Sequence, residues 1–309
     1  MSQPHAHLAL VGCTASGKSS VAMAAARALN KTGPPVEILS VDSMQVYRGM
    51  DIGTAKATPK QQAETPHHLI DLVDPDTEFT VAAYQASARD ALQTIDRKGH
   101  RALLVGGSGL YFNAITDQLT PPGRYPDIRA ELDANPDTQA LHNQLSAIDP
   151  LAASRMEVTN RRRIVRALEV TLGAGRPFSS FGPGIGAYPP TRFRIAGLWL
   201  PRPVVAARIV TRFEAMLAEG LVEEVRRLAK SPTGLSRTAR QALGYREILA
   251  HLEEGTALDD AVAQAVRRTR SFARRQRVWW RRDPRIAWFG ASENPLAVVP
   301  ALLRDWNTT

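Results

Sequence analysis

A chain of 309 residues is long enough for one large domain or for a core carrying an inserted second unit. Its 44% hydrophobic content is that of a globular protein, and no apolar run approaches the length of a bilayer span, so no transmembrane helix is expected. The net charge of +9, with 39 Lys+Arg against 30 Asp+Glu, is concentrated in the second half, at Arg161–Arg163 and Arg267–Arg285, which is the electrostatic footprint of a polyanionic partner. The single cysteine, Cys13, excludes an internal disulfide and suits a reducing cytoplasmic compartment. Met1 to His7 has neither a basic n-region nor a long apolar h-region, so no secretory signal is expected.

In chain order, the apolar run Leu8–Val11 leads into Gly12, Cys13, Thr14, Ala15, Ser16, Gly17, Lys18 and Ser19, followed by an alanine-rich helix over Val21–Leu29. Strand, glycine-bounded loop and helix form the setting of a phosphate-binding P-loop. The glycines let consecutive N–H groups turn toward phosphate oxygens, and the helix start adds unpaired donors and a partial positive end. Lys18 supplies a full charge, and the Ser19 hydroxyl is suited to ligate the Mg²⁺ that accompanies phosphates. A glycine turn with an incidental lysine is the plainer alternative. The full pattern in this setting argues instead for a di- or triphosphate site.

Val36–Val41 reads as a second buried strand, and Asp42 follows it immediately. A carboxylate just past a parallel strand belongs on the rim where such sheets bind ligands, although it could merely cap a turn. Pro66–Pro75 looks like a short edge strand, whose adjacent His67 and His68 point to opposite faces and make poor joint metal ligands. Thr80 caps a helix that runs to about Lys98 and stops at Gly99. Ala102–Val105 is another core strand, ending in Gly106, Gly107, Ser108 and Gly109. Three strands should thus deliver Lys18 with Ser19, Asp42 and Ser108 to one edge.

The rhythm then breaks. Residues 121–191 read as an all-helical insertion, with Leu132, Leu141, Leu145 and Ile148 on one stripe and Arg161–Val170 carrying another. The core resumes with a strand at Arg194–Leu200. Helices follow over Val204–Glu219, Leu221–Ala229, Tyr245–Glu253 and Leu258–Arg282, and a short strand over Ile286–Phe289. The expected fold is α/β: a P-loop NTPase-like parallel sheet core (1–120 with 192–309) plus the inserted helical subdomain and a helical C-terminal region. On the last long helix, Ala265, Phe272, Gln276 and Trp279 share one side, arginines cover the rest, and Trp279 or Trp280 is available for base stacking.

A P-loop kinase or NTPase would also need an acid at a strand end for Mg²⁺, and Asp71 is the only loose candidate. The blocks Gly12–Ser19, Asp42–Tyr47, Met50–Lys56, Gly106–Tyr111, Arg162–Val170 and Gln241–Arg246, in that order, closely resemble those of the bacterial tRNA dimethylallyltransferases. The resemblance implies transfer of a dimethylallyl group from dimethylallyl diphosphate to N6 of the adenosine 3′ of the anticodon, with Mg²⁺ and release of diphosphate. It implies Asp42 as proton acceptor, Ser108 and Lys18 in the reaction centre, and Arg208 or Arg212 reaching the diphosphate from a facing helix. It further implies contacts to the tRNA anticodon stem-loop from Asp42, Ser43, Met44, Gln45, Ser108, Arg129, Arg162, Arg163, Ile164, Val165, Arg166, Gln241, Ala242, Leu243, Gly244, Tyr245 and Arg246. No membrane and no obligate protein partner are expected. The family usually has proline where Cys13 stands and threonine where Ser108 stands; serine keeps the hydroxyl. An adenylate isopentenyltransferase acting on free AMP shares the core chemistry, but the helical insertion and basic second half favour tRNA.

Overall fold

The computed structural model describes residues 7–117, 119–181 and 185–307; Met1–Ala6, and Gly182–Gly184 within the Gly/Pro-rich stretch, lie outside the described residues. Two compact units divide the chain, Met1–Asp117 with Pro190–Thr309, and Gln118–Pro189.

In the first unit, β1 (His7–Val11), β2 (Val36–Val41), β3 (His67–His68), β4 (Arg101–Gly106), β5 (Phe193–Trp199) and β6 (Ile286–Gly290) form one sheet in the order β3-β2-β4-β1-β5-β6. Every pairing is parallel. Parallel neighbours need crossovers, and these cover both faces of the sheet, which is why β1, β2 and β4 are mostly apolar and buried throughout. Alternate residues feed two cores. Leu8, Leu10, Leu103 and Val105 pack with Val21, Ala25 and Leu29 of α1 (Lys18–Leu29). Ala9, Val11, Leu39, Val41 and Leu104 pack on the opposite face, with Tyr84 and Ile95 from a later crossover helix.

After α2 (Pro59–Glu64), that crossover helix is α3 (Val81–Arg97), begun by the Thr80 hydroxyl accepting from Ala83 N and closed before Gly99 at φ +68°. It leads to β4 and then to α4 (Gly109–Thr116).

The second unit holds α5 (Pro126–Ala134), α6 (Thr138–Ile148), α7 (Pro150–Ser154) and α8 (Arg161–Ala174), with proline in the first turn of α5 and α7, where no backbone donor is needed. Leu132, Leu141, Leu145, Ile164, Val165 and Leu168 form its core. Ile148, expected on that stripe, is exposed instead, at the last position of α6.

Back in the first unit, α9 (Arg202–Ala218), α10 (Leu221–Ala229), α11 (Tyr245–Glu254), α12 (Leu258–Trp280) and α13 (Val299–Asn307) follow β5, with β6 entering the sheet before the last. The buried side of α12 is Ala261, Ala265, Thr269, Ala273, Gln276, Arg277 and Trp280. Trp280 is buried, with its ring edge-on to Phe112 at 5.3 Å, so it is not available for stacking on a base; Trp279, half-buried, is the more accessible of the two.

His67 and His68 have separate partners: His67 Nδ1 meets Thr65 O at 2.7 Å, and His68 Nε2 meets Glu37 Oε2 at 2.6 Å. Glu37, on β2, is 2% exposed and also meets His100 Nδ1 at 2.6 Å and Lys98 Nζ at 3.0 Å. Burial by itself would raise its pKa, but the hydrogen bonds from His68, Lys98 and His100 together outweigh it and hold the carboxyl at about 2. A depressed folded-state value stabilises the fold above the unfolded pKa, near 4.5, and that contribution drains away as pH falls toward 2. Glu37→Gln should therefore cost on the order of 3 kcal/mol at pH 7 and progressively less below pH 4.5. Urea midpoints of both proteins across that range test this, and equal midpoints at pH 7 would refute it.

Candidate active site at the carboxyl ends of the strands

Sheet register builds the site. Gly106 of β4 pairs with Val11 of β1 on one side and with Val41 of β2 on the other. The residues that follow, Gly107, Gly12 and Asp42, therefore emerge side by side on the rim where open parallel sheets bind ligands.

Gly17, at φ +88°, begins α1 in the left-handed region that glycine alone enters without strain, and Pro295 packs against it so closely that a Cβ would stand 2.4 Å from Pro295 Cγ. Ala15 is also left-handed, at φ +59°. The loop is held from several directions. Ser16 N donates to Cys13 O at 3.3 Å, and Lys18 Nζ to the same oxygen at 3.2 Å. Both candidate arginines of α9 reach the loop: Arg208 Nε donates to Ala15 O at 2.9 Å, and Arg212 Nη1 to Thr14 Oγ1 at 3.4 Å. Both therefore border the loop from the same helix. Cys13 is buried and burial raises its thiol pKa, so it is a small packing residue rather than a nucleophile.

Lys18, Arg212 and Asp42 lie within electrostatic reach of one another. Burial pushes the Lys18 ammonium below its usual range, Cys13 and Asp42 oppose that shift, and Arg212 adds to it. Burial likewise lowers Arg212, again opposed by Asp42. Crowded, partly desolvated cations are ready to take up an anion, which would relieve both burial and mutual repulsion. Ser19 lies exposed in the first turn of α1, open to a ligand. Among the described residues no cluster of His, Cys, Asp or Glu is arranged as a metal cage. A Mg²⁺ that keeps its waters and takes phosphate oxygens needs only one or two protein ligands, so Ser19 suits it.

Asp42 does cap its own turn: Oδ1 accepts from Met44 N at 2.8 Å, which orients the carboxylate on the rim. Nearby, Tyr84 donates to Ser40 O at 2.8 Å and packs in a tilted arrangement on Tyr111, ring centroids 4.3 Å apart. Ser108, at the start of α4, accepts from Ser43 N at 3.3 Å, joining the β4 turn to the Asp42 turn. Gln45 is fixed by Ser40 Oγ and by donation to Thr54 O and Ala55 O.

Two anchors of this region escaped the sequence reading. Glu224 of α10 accepts from Asp51 N, Ile52 N, Gly53 N and the Tyr245 hydroxyl. Lys56, nearly buried, donates to Tyr47 O, Asp51 and Asp71. Glu224 has no marker separating it from Glu223 except the buried stripe of α10. The Lys56–Asp71 distance of 2.6 Å places Asp71 in that ion pair.

The residues expected to touch RNA divide into two kinds. In the second unit Arg162 and Arg163 are exposed, whereas Ile164 and Val165 are core residues. Arg129 and Arg166 both approach Glu169, at 3.7 and 2.6 Å, and Arg166 also donates to Pro122 O and Gly123 O. In the first unit Gln241 and Arg246 are exposed and Leu243 half-buried, but Ala242, Gly244 and Tyr245 are buried. The expectation is thus corrected for the side chains of Ile164, Val165, Ala242 and Tyr245 and for Gly244. They build the fold beneath the accessible positions, because a motif read as a contiguous block includes the inward face of its helix.

The family model for IPP transferase matches residues 45–283. The tRNA dimethylallyltransferase of Moorella thermoacetica is 44% identical, with 96% of this chain and 94% of the relative covered. That of Kineococcus radiotolerans is 45% identical over 98% and 97%. Among solved structures, a tRNA isopentenylpyrophosphate transferase from Bacillus halodurans is 35% identical with TM-score 0.69, covering 98% of both chains. A eukaryotic dimethylallyltransferase acting on tRNA, at 23% identity and TM-score 0.77, shares the fold. With its motifs in order along the chain, and with relatives matched over nearly their whole lengths, the chain belongs to the IPP transferase family.

Proposed function

We propose that this protein transfers a dimethylallyl group from dimethylallyl diphosphate to N6 of the adenosine 3′ of the anticodon in tRNA. The observation that carries this reading is the neighbourhood of Asp42, a carboxylate beside Lys18 and Arg212 at the mouth of a P-loop. The tRNA dimethylallyltransferases to which the chain is similar support the same choice.

The adenosine N6 attacks the allylic carbon while its C–O bond to diphosphate breaks. The N6 proton passes to Asp42, and the electron pair of the broken bond leaves with the diphosphate. An exocyclic amine is a feeble nucleophile, so a carboxylate within reach of its proton assists attack. Negative charge builds on the leaving oxygens, where Lys18, Arg208, Arg212 and the loop N–H groups stabilise it most as the bond opens. A Mg²⁺ held by Ser19 and the phosphates would supply further charge there. Ser108 orients the bridging oxygen or the adenosine. The target base has to leave its loop stack to enter the site, and single-stranded loops are where RNA bases can be read directly. Arg162 and Arg163 contact tRNA phosphates. Among the described residues no helix is long and apolar enough to cross a membrane. The single cysteine and the tRNA substrate of its relatives support a cytoplasmic enzyme.

Incubation with dimethylallyl diphosphate and a tRNA stem-loop should release diphosphate, while ATP should yield no ADP; ADP formation without prenyl transfer would favour a kinase. Asp42→Ala should lower turnover by about 10²-fold or more while leaving tRNA affinity nearly intact, and retained turnover would remove Asp42 as the base. Replacing Arg162 and Arg163 together by glutamine should weaken tRNA binding and reduce the slope of log affinity against log salt by about one to two. An unchanged slope counts against that pair.

A further inference from the structure

Gln276 joins the two glycine-bearing turns of the site. From α12 its Oε1 accepts from Thr14 N at 2.8 Å, and its Nε2 donates to Gly107 O at 2.9 Å. The side chain is 6% exposed. Gly107 makes room for it, because a Cβ there would stand 2.4 Å from Nε2. Three residues on, Trp279 covers Gly109 and donates to Asn113 Oδ1 at 3.3 Å, so α12 lies against both flanks of Ser108.

We propose that Gln276 is a positioning residue for the phosphate cradle, a role that rests on the diphosphate reading of the P-loop. Its bond to Thr14 N draws that N–H out of the cradle and fixes the orientation of the Thr14 peptide. The Thr14 side chain is held from the other direction by Arg212. The residues after it, Ala15 and Gly17 in the left-handed region, then have one arrangement in which their neighbours' N–H groups converge. The second bond ties the same carboxamide to the turn that bears Ser108, so the group orienting the reacting atoms keeps its distance from the diphosphate.

A carboxamide suits this place because it carries a donor and an acceptor on one rigid plane. A glutamate could accept from Thr14 but would face the Gly107 carbonyl and the incoming anion with like charge. An apolar side chain of similar volume would leave both partners unsatisfied away from water. Pre-organisation of this kind acts on the diphosphate from the first encounter, so its loss should appear in binding more than in the chemical step.

Calorimetric titration of inorganic diphosphate into the wild type, Gln276→Leu and Gly107→Ala tests the inference without needing turnover. Each single variant should bind diphosphate about 10-fold more weakly, because each disturbs the buried bond to Thr14 N that fixes the loop. The double variant should be no weaker than the weaker single, because both act through the same contact. Stem-loop RNA affinity should stay within about twofold, and KM for dimethylallyl diphosphate should rise with kcat little changed. Diphosphate affinity unchanged in Gln276→Leu overturns the proposal, as do additive effects of the two substitutions. A parallel loss of RNA and diphosphate affinity with a lowered unfolding midpoint also overturns it, since that is what a merely structural role produces. If the wild type binds diphosphate yet transfers no prenyl group, the prenyl-transfer reading fails and the titration still decides the role of Gln276.

Discussion

Val11, Gly106 and Val41 lie level across three adjacent parallel strands, and the site depends on that register. Parallel strands all end at one rim, so whatever follows each of them is delivered to the same crevice without further design. A shift of one residue in any strand would turn its side chains to the other face and carry Asp42 or the loop away from the rim. The two cores hold the register in place. Alternate residues of β1, β2 and β4 are committed to helices on opposite faces, and no slipped pairing satisfies both.

Elements distant in sequence then converge on that rim. Arg208 and Arg212 come from α9, Gln276 and Trp279 from α12, and Pro295 from the segment before α13. Trp279 covers the Ser108 turn, and the others border a loop whose own conformation includes a left-handed alanine; among the described residues, the carboxylate that acts on Lys18 and Arg212 is that of Asp42. Desolvated like charges raise the free energy of the empty site, and an anionic leaving group lowers it.

In the second unit arginine has two uses. Arg161 donates to the carbonyls of Leu132, Asp133 and Asn135 at the end of α5, and Arg129 and Arg166 gather on Glu169. Arg162 and Arg163, on the exposed side of α8, are left to the solvent. One run of consecutive arginines thus serves packing and surface charge together, because a helix presents successive residues to different directions.

The amino-acid sequence by itself determined the core strands, the phosphate loop, the rim position of Asp42 and Ser108, and most helix boundaries, whereas the edge strand expected over Pro66–Pro75 shrinks to His67–His68 because Leu69 and Asp71 turn left-handed. These follow from local signals: apolar runs, glycine spacing, capping residues and proline. Its motif order was enough to indicate the family. Only the tertiary structure decided which members of each motif face outward, why Trp280 is buried while its neighbour is more accessible, and that both Arg208 and Arg212 reach the loop. It alone showed that Glu224, Lys56 and Gln276 are anchors. Their partners are backbone atoms or side chains brought near by folding, and a backbone N–H or carbonyl leaves no trace in the sequence of the residue that will bind it.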